Sequence, residues 1–267
     1  MTSFTKAGAL WMALHITASL TAQDLLSKAA PQKGPIIFSN ATIHTVSRGV
    51  ILGGTIWFDG GKIQAVLAKG GEPKLPQDGP EPVRIDLGGK HVFPGMISPH
   101  TQLGLIEIGM VPQSVDTDEL GEMSPEALAA TAVNPDSTAI PVARTNGVLV
   151  ATVFPIGGLL PGRASIMQLD GWTNADMALR RNAGVVVTWP AARSRRFRRS
   201  SSTPSDSGER LARQRQKIDD AFVAAKAWSD ARTADAAVPL DIRHAALTAA
   251  IRGEVPVFVL ANGVEQI

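Results

Sequence analysis

The sequence predicts an α/β protein, with a small β-unit of hairpin-spaced strands at 36–91 and a strand–helix alternation over 92–267. Three observations carry this. Residues 36–91 alternate apolar and polar side chains between the turn signals Asp59-Gly60-Gly61 and Gly88-Gly89-Lys90. Residues 148–155 are a near-continuous apolar run, the pattern of a strand covered on both faces. Between them, Val92-Phe93-Pro94-Gly95-Met96-Ile97-Ser98-Pro99-His100-Thr101-Gln102 reads as an apolar strand delivering a histidine and a glutamine two residues apart.

Taken in order, residues 1–22 have the layout of an export signal. Lys6 precedes an apolar stretch at 7–20, interrupted by His15, and the small residues Ala18, Ser19, Thr21 and Ala22 follow. Such a leader is too short to span a bilayer comfortably. It implies a periplasmic or secreted product with no stable membrane span once removed. Residues 23–35 form a linker. Strands are expected at 36–46, with Ile37, Ala41, Ile43 and Thr45 on one side, then at 49–58, 62–68, 83–87 and 91–97. They read as an antiparallel unit, with a Gly/Pro-rich loop at 70–82.

Beyond His100, helices are expected at 124–132 and 136–146, the second closed by Gly147. A flexible loop at 157–162 leads to a short strand at 164–169. A helix at 174–183 ends at Gly184, before a strand at 185–189. A polar linker at 200–208 precedes an amphipathic helix at 209–228, with Leu211, Ile218, Phe222, Ala225 and Trp228 on its apolar face. A helix at 241–252 and a strand at 255–261 follow. This alternation implies parallel strands. Asn262 and Glu265 have the spacing of a further helix start.

Composition narrows the chemistry. A formal charge of +2 does not call for a nucleic-acid partner. With no cysteine there is neither a disulfide framework nor a thiolate zinc site. A metal here must use histidine, carboxylate or carbonyl oxygen.

Residues two apart on a strand project to the same side, so His100 and Gln102 form the candidate metal pair. Imidazole is a good zinc ligand; a carboxamide oxygen is a poor one. Glu107 is a candidate to support the same mouth. The alternatives are a vestigial histidine at His100 and a hydrogen-bonding role for Gln102. His44, His91 and His244 read as structural or surface residues. Asp116, Asp118, Glu119 and Glu122 read first as a solvated acidic loop and second as a carboxylate pair. The glycines at 157–162, before Arg163, offer a possible anion cradle without a Walker pattern. The run Arg193-Ser194-Arg195-Arg196-Phe197-Arg198-Arg199 reads as a solvated loop.

The order of β-unit, Val-Phe-Pro-Gly-Met-Ile-x-x-His and α/β repeats resembles the amidohydrolase superfamily, in its imidazolonepropionase-like and dihydroorotase-like branch. Asn40-Ala41-Thr42-Ile43-His44-Thr45, Asp59-Gly60-Gly61-Lys62-Ile63 and Arg144-Thr145-Asn146-Gly147-Val148 add to the resemblance. It implies a small β-sandwich beside a TIM barrel, a divalent metal (zinc foremost), a small-molecule substrate, and hydrolysis of C–N bonds other than peptide bonds. The family pattern is Pro-Gly-x-Ile-Asp-x-His-x-His. Here Ser98 stands for the aspartate and Gln102 for the second histidine. A whole barrel takes roughly 200–250 residues, so 92–267 is expected to hold an incomplete one. The metal is then weakly held or absent, and activity weak or absent. The open strand edges would be met by a second copy or by a missing C-terminal half. The competing expectation is a non-catalytic accessory or binding domain.

Overall fold

The computed structural model describes residues 32–76, 78–191, 204–263 and 266. The stretch at 1–22 expected to be an export signal, most of the linker expected at 23–35 and the arginine run lie outside the described residues. Two five-stranded sheets organise the chain. The first contains β1 (Ile36–His44), β2 (Val50–Asp59), β3 (Lys62–Leu67), β4 (Val83–Asp86) and β5 (His91–Val92). The second contains β6 (Met96–Thr101), β7 (Val148–Val153), β8 (Gly162–Gln168), β9 (Ala178–Thr188) and β10 (Val257–Leu260). This is the predicted α/β architecture: a β-sandwich-like unit followed by an incomplete β/α barrel, the second sheet curling as half of one.

In the first sheet β1, β2 and β3 pair antiparallel, as the hairpin signals require. β4 and β5 both run parallel to β1, correcting the all-antiparallel expectation. The long 70–82 segment carries the chain back to the start of β1, so β4 enters in the same direction. Ala41, Ile43 and Ile56 form the core here, with Ile51, Phe58, Leu87 and Val92 around them.

The expected strand at 91–97 is two strands. β5 ends at Val92 on the first sheet and β6 begins at Met96 on the second. Pro94 has no N–H and cannot continue a ladder. Pairing resumes when the Met96 N–H donates to the Gly147 carbonyl at 2.8 Å.

The second sheet has the order β10-β9-β8-β7-β6. β6 runs parallel to β7 and β9 parallel to β10, but β8 is antiparallel to both neighbours. This corrects the all-parallel expectation. Parallel neighbours need a crossover of a dozen or more residues. The β6–β7 connection contains α1 (Ala129–Ala132) and α2 (Ala139–Thr145). The β9–β10 connection contains α4 (Pro204–Ala234) and α5 (Ile242–Ile251). The short loops around β8 allow only a reversal.

Three helix expectations shrink or shift. Residues 124–128 hold a single turn, Ala127 N–H on the Ser124 carbonyl at 3.0 Å, because Ser124 N–H bonds to the Leu160 carbonyl and Ala127 carbonyl accepts from Arg163 N–H. Only α1 is left of that helix. The expected 174–183 helix is one turn, α3 (Asn174–Met177), held by a capping box of Thr173 and Asp176. The next residues join β9, because β8 offers a ladder at Met167–Ala178 and Ile166–Arg180. The polar linker expected to 208 is helical from Pro204.

Helices cover the outer face. Ile218 and Ala225 of α4 and Leu247 of α5 pack on Val185 and Val187 of β9, together with Leu159 and Leu160. Leu105, Ala129, Ala130 and Ile140 cover Ala151, Val153 and Met167. Among the described residues no helix is long and apolar enough to cross a membrane.

Two predictions follow from this packing. Gly184 faces the Pro256 carbonyl oxygen so closely that an added Cβ would lie 2.5 Å from it. Gly184→Ala is therefore expected to force β9 and β10 apart and cost about 1–3 kcal/mol by overpacking, read by urea unfolding. At the start of α5, Asp241 accepts from the Arg243 and His244 N–H groups at 2.8 and 3.0 Å. Asp241→Ala should cost about 1 kcal/mol, the usual worth of such a cap. The His244 N–H bond, first among the causes, holds the Asp241 carboxyl below its ordinary range. Its contribution is thus full above the unfolded-state value and is lost as pH falls through the lowered folded value. The gap between wild type and variant should close in acid.

Candidate functional site

The carboxyl ends of β6, β7, β9 and β10 share one end of the second sheet, the end where α/β barrels carry their chemistry. His100 stands at that end. The β6–β7 register slips between Ser98↔Ala151 and Thr101↔Val153, so three steps on β6 match two on β7. This is a β-bulge at Pro99 and His100. Pro99 lacks the N–H that a regular ladder would use. An opposite slip lies between Met96↔Val148 and Ile97↔Val150, so the bulge restores the register and Thr101 meets Val153 as it would in a ladder counted straight from Met96.

The His100 ring lies on Phe154, centroids 4.6 Å apart at 46°. Phe154 meets Phe258 of β10 edge-on at 5.0 Å. Phe154 also packs with Ala164, Ala183 and Val186, the apolar lining of the sheet's inner face. His100 is exposed above this lining. Sequence reading missed Phe154. Its position at the end of the apolar run from Val148 was the available signal.

Gln102 follows the end of β6 and lies in a turn, its carbonyl accepting from Leu105 N–H at 2.9 Å. Glu107 accepts from Asn134 Nδ2 at 3.2 Å and from Ser137 Oγ at 3.1 Å. Its two oxygens thus fasten the loop after β6 to the segment before α2. Among the described residues no three His, Cys, Asp or Glu side chains are grouped to hold a metal ion. The residues present therefore do not fit the metal that the resemblance implies.

The acidic loop and the glycine loop meet each other. Glu122 carbonyl accepts from the Leu159 and Leu160 N–H groups at 2.7 and 3.0 Å. Those donors are thereby taken, which argues against an anion cradle. Gly158 has φ +60° and lies so near Glu122 that an added Cβ would be 2.7 Å from its carbonyl oxygen. A cleft of about 310 Å³ opens beside this junction, lined by Asp116, Asp118, Glu119, Glu126 and Arg163 among others. Burial lowers the Arg163 guanidinium from its usual value, against the opposing pull of Glu126. Arg163 Nη2 donates to the Glu126 carbonyl at 2.8 Å.

No protein-family model matches the chain, and no curated protein does either. Among solved structures, an amidohydrolase from Thermotoga maritima superposes with a TM-score of 0.70 at 21% identity, over 86% of this chain and 59% of that one. The chain thus shares the amidohydrolase fold and spans a little under three fifths of that relative. A prolidase (20% identity, TM-score 0.29, 44% of this chain and 25% of its own) adds no argument. Neither does a second amidohydrolase (20%, 0.28, 43% and 24%).

The geometry separates two kinds of residue at the mouth. Phe154 is buried at 3% exposure, so Phe154→Ala is expected to cost about 3–5 kcal/mol. The exposed His100 should be replaceable by alanine within about 0.5 kcal/mol. Chemical denaturation of both variants checks the contrast.

Proposed function

We propose that this chain is an amidohydrolase-type unit built for hydrolysis of C–N bonds outside peptides, such as cyclic amides, and that alone it is weakly active or inactive. The observation that carries this is His100. It tops an inner apolar wall at the carboxyl end of β6, in a fold shared with an amidohydrolase. In that position an imidazole can meet a small substrate entering the mouth, and Phe154 orients its ring. Gln102 is the neighbouring side chain in sequence that could join it there.

The reading also accounts for what a reaction would lack. Amide hydrolysis needs an activated water, a group to take its proton, and stabilisation of the developing oxyanion. Beyond residue 102 the sequence holds one histidine, His244. It lies in α5, its Nδ1 buried 3.6 Å from an Asp241 oxygen and without a hydrogen bond. A non-catalytic binding or accessory role is the second reading, favoured by the ungrouped ligands.

The test is turnover by the purified chain on a panel of cyclic amides and dipeptides with zinc or manganese added. Little or no turnover is expected, and no stoichiometric zinc should remain at the mouth after extensive dialysis. Gln102→His should raise zinc affinity there, in a manner abolished by His100→Ala. Metal-dependent turnover by the unmodified chain that vanishes in His100→Ala would overturn the inactive reading. Failure of Gln102→His to bind more zinc would count against a metal role for this pair.

A further inference from the structure

We infer that His44 and His91 form a separate site for a divalent transition-metal ion, on the outer face of the first sheet. His44 ends β1 and His91 opens β5, 47 positions later. The parallel register sets Thr42 beside His91 and Ile43 beside Val92. His44 and Thr42 lie on the sheet face opposite the buried Ala41 and Ile43, so the His44 and His91 rings reach the same side. His44 Nε2 stands 2.9 Å from His91 Nδ1. Ring centroids are 5.1 Å apart at 22°. Phe93 covers the other side of His44, 4.2 Å away and within 10° of parallel. Three consecutive turns of the design thus hold one ring pair: β1, β5, and the residue just before Pro94.

Only one of the two facing nitrogens carries a proton in that hydrogen bond. Moving the proton to the other nitrogen of the same ring leaves a neutral imidazole with its lone pair toward the gap. Two lone pairs then face one point from neighbouring strands. Two nitrogens each about 2.0–2.1 Å from a tetrahedral zinc are about 3.4 Å apart. The pair must therefore open by roughly 0.5 Å from its 2.9 Å contact. His91 is exposed and His44 half-buried against Phe93, so the His91 ring makes this movement by side-chain rotation. Solvent fills the remaining positions on the ion.

The donor set fixes the ligand class. Imidazole nitrogen without carboxylate or thiolate suits Cu²⁺, Ni²⁺ and Zn²⁺, with Cu²⁺ bound most strongly, and disfavours Mg²⁺ and Ca²⁺. The nearby Thr42 hydroxyl is already donating to the Gly89 carbonyl at 3.3 Å. An ion here would clamp β5 to β1 at the point where the chain leaves for the second sheet. With two protein ligands it is an exchangeable ion, distinct from a closed structural zinc site.

The experiment titrates the purified full chain with Cu²⁺ and with Zn²⁺, following stoichiometry by calorimetry and the histidine ring signals by NMR. One ion per chain is expected, with Cu²⁺ broadening the His44 and His91 ring signals first. His44→Gln and His91→Gln should each abolish that uptake, while His244→Ala leaves it unchanged. Mg²⁺ should produce no effect. Circular dichroism confirms that the variants fold, and the ring broadening in the unmodified chain decides the matter if they do not. Uptake lost in His100→Ala but kept in both glutamine variants would place the ion at the mouth and overturn this inference. So would Cu²⁺ addition that leaves the His44 and His91 signals sharp.

Discussion

The passage Phe93-Pro94-Gly95 is the constraint on which the arrangement of both sheets depends. A strand that began at His91 and ran unbroken would remain in the first sheet. Proline removes the donor that would extend that ladder. The preceding residue is at the same time biased toward extended backbone. Gly95 then passes against Leu149, so close that a Cβ there would lie 2.3 Å from Leu149 Cδ1. With no side chain at 95, β6 can settle beside β7 and take up parallel pairing. The second proline, Pro99, repeats the device within β6, at the bulge that carries His100. Two missing N–H groups thus mark both the division between sheets and the irregular stretch at the candidate site.

The second sheet has a covered outer face and an inner face lined by a thin apolar layer. Phe154, Ala164, Ala183 and Val186 form that layer, with Phe258 and Leu260 at its margin. Closed barrels fill such an interior with side chains from all their strands. Here β6 and β10 are the edges among the described residues. Large apolar side chains are exposed along both: Met96 at 54% and Ile97 at 65% on β6, Val259 at 55% on β10. Exposed apolar edges of this kind recruit further strands. The chain spans 59% of the amidohydrolase structure on which it superposes.

Much of this was legible before any coordinates. Hairpin signals placed β2 and β3, and the apolar run placed β7. The stripe at Ile218, Phe222 and Ala225 placed the long helix on the outer face. Strand direction was not legible where it depended on loop length, since β8 looks like any short strand until the connections are seen to be too brief for a crossover. The 174–183 segment had helix spacing and a good cap. The partner strand supplied a stronger set of hydrogen bonds, and tertiary pairing overrode local preference. At the site, the sequence singled out His100 but not its neighbour Phe154, because the contact between them depends on the pairing of β6 with β7. His44 and His91 looked like isolated sheet residues. Only parallel pairing of β5 with β1 brings them together.

The contrast between a shared fold and an incomplete ligand set has a physical basis. The fold rests on many apolar contacts spread over both sheets, each worth a kcal/mol or so. A metal centre rests on three or four donors, and losing one removes most of its affinity. Gln102 belongs to none of the buried clusters, so stability leaves that position free to vary. Ser98 sits beside the buried Ala151 on β7, where a small hydroxyl is easier to accommodate than a carboxylate charge. The framework shared with the amidohydrolase structure can therefore stand whatever donors surround its mouth. The fold alone then says little about catalysis, and the chemistry must be argued from the few side chains at the mouth.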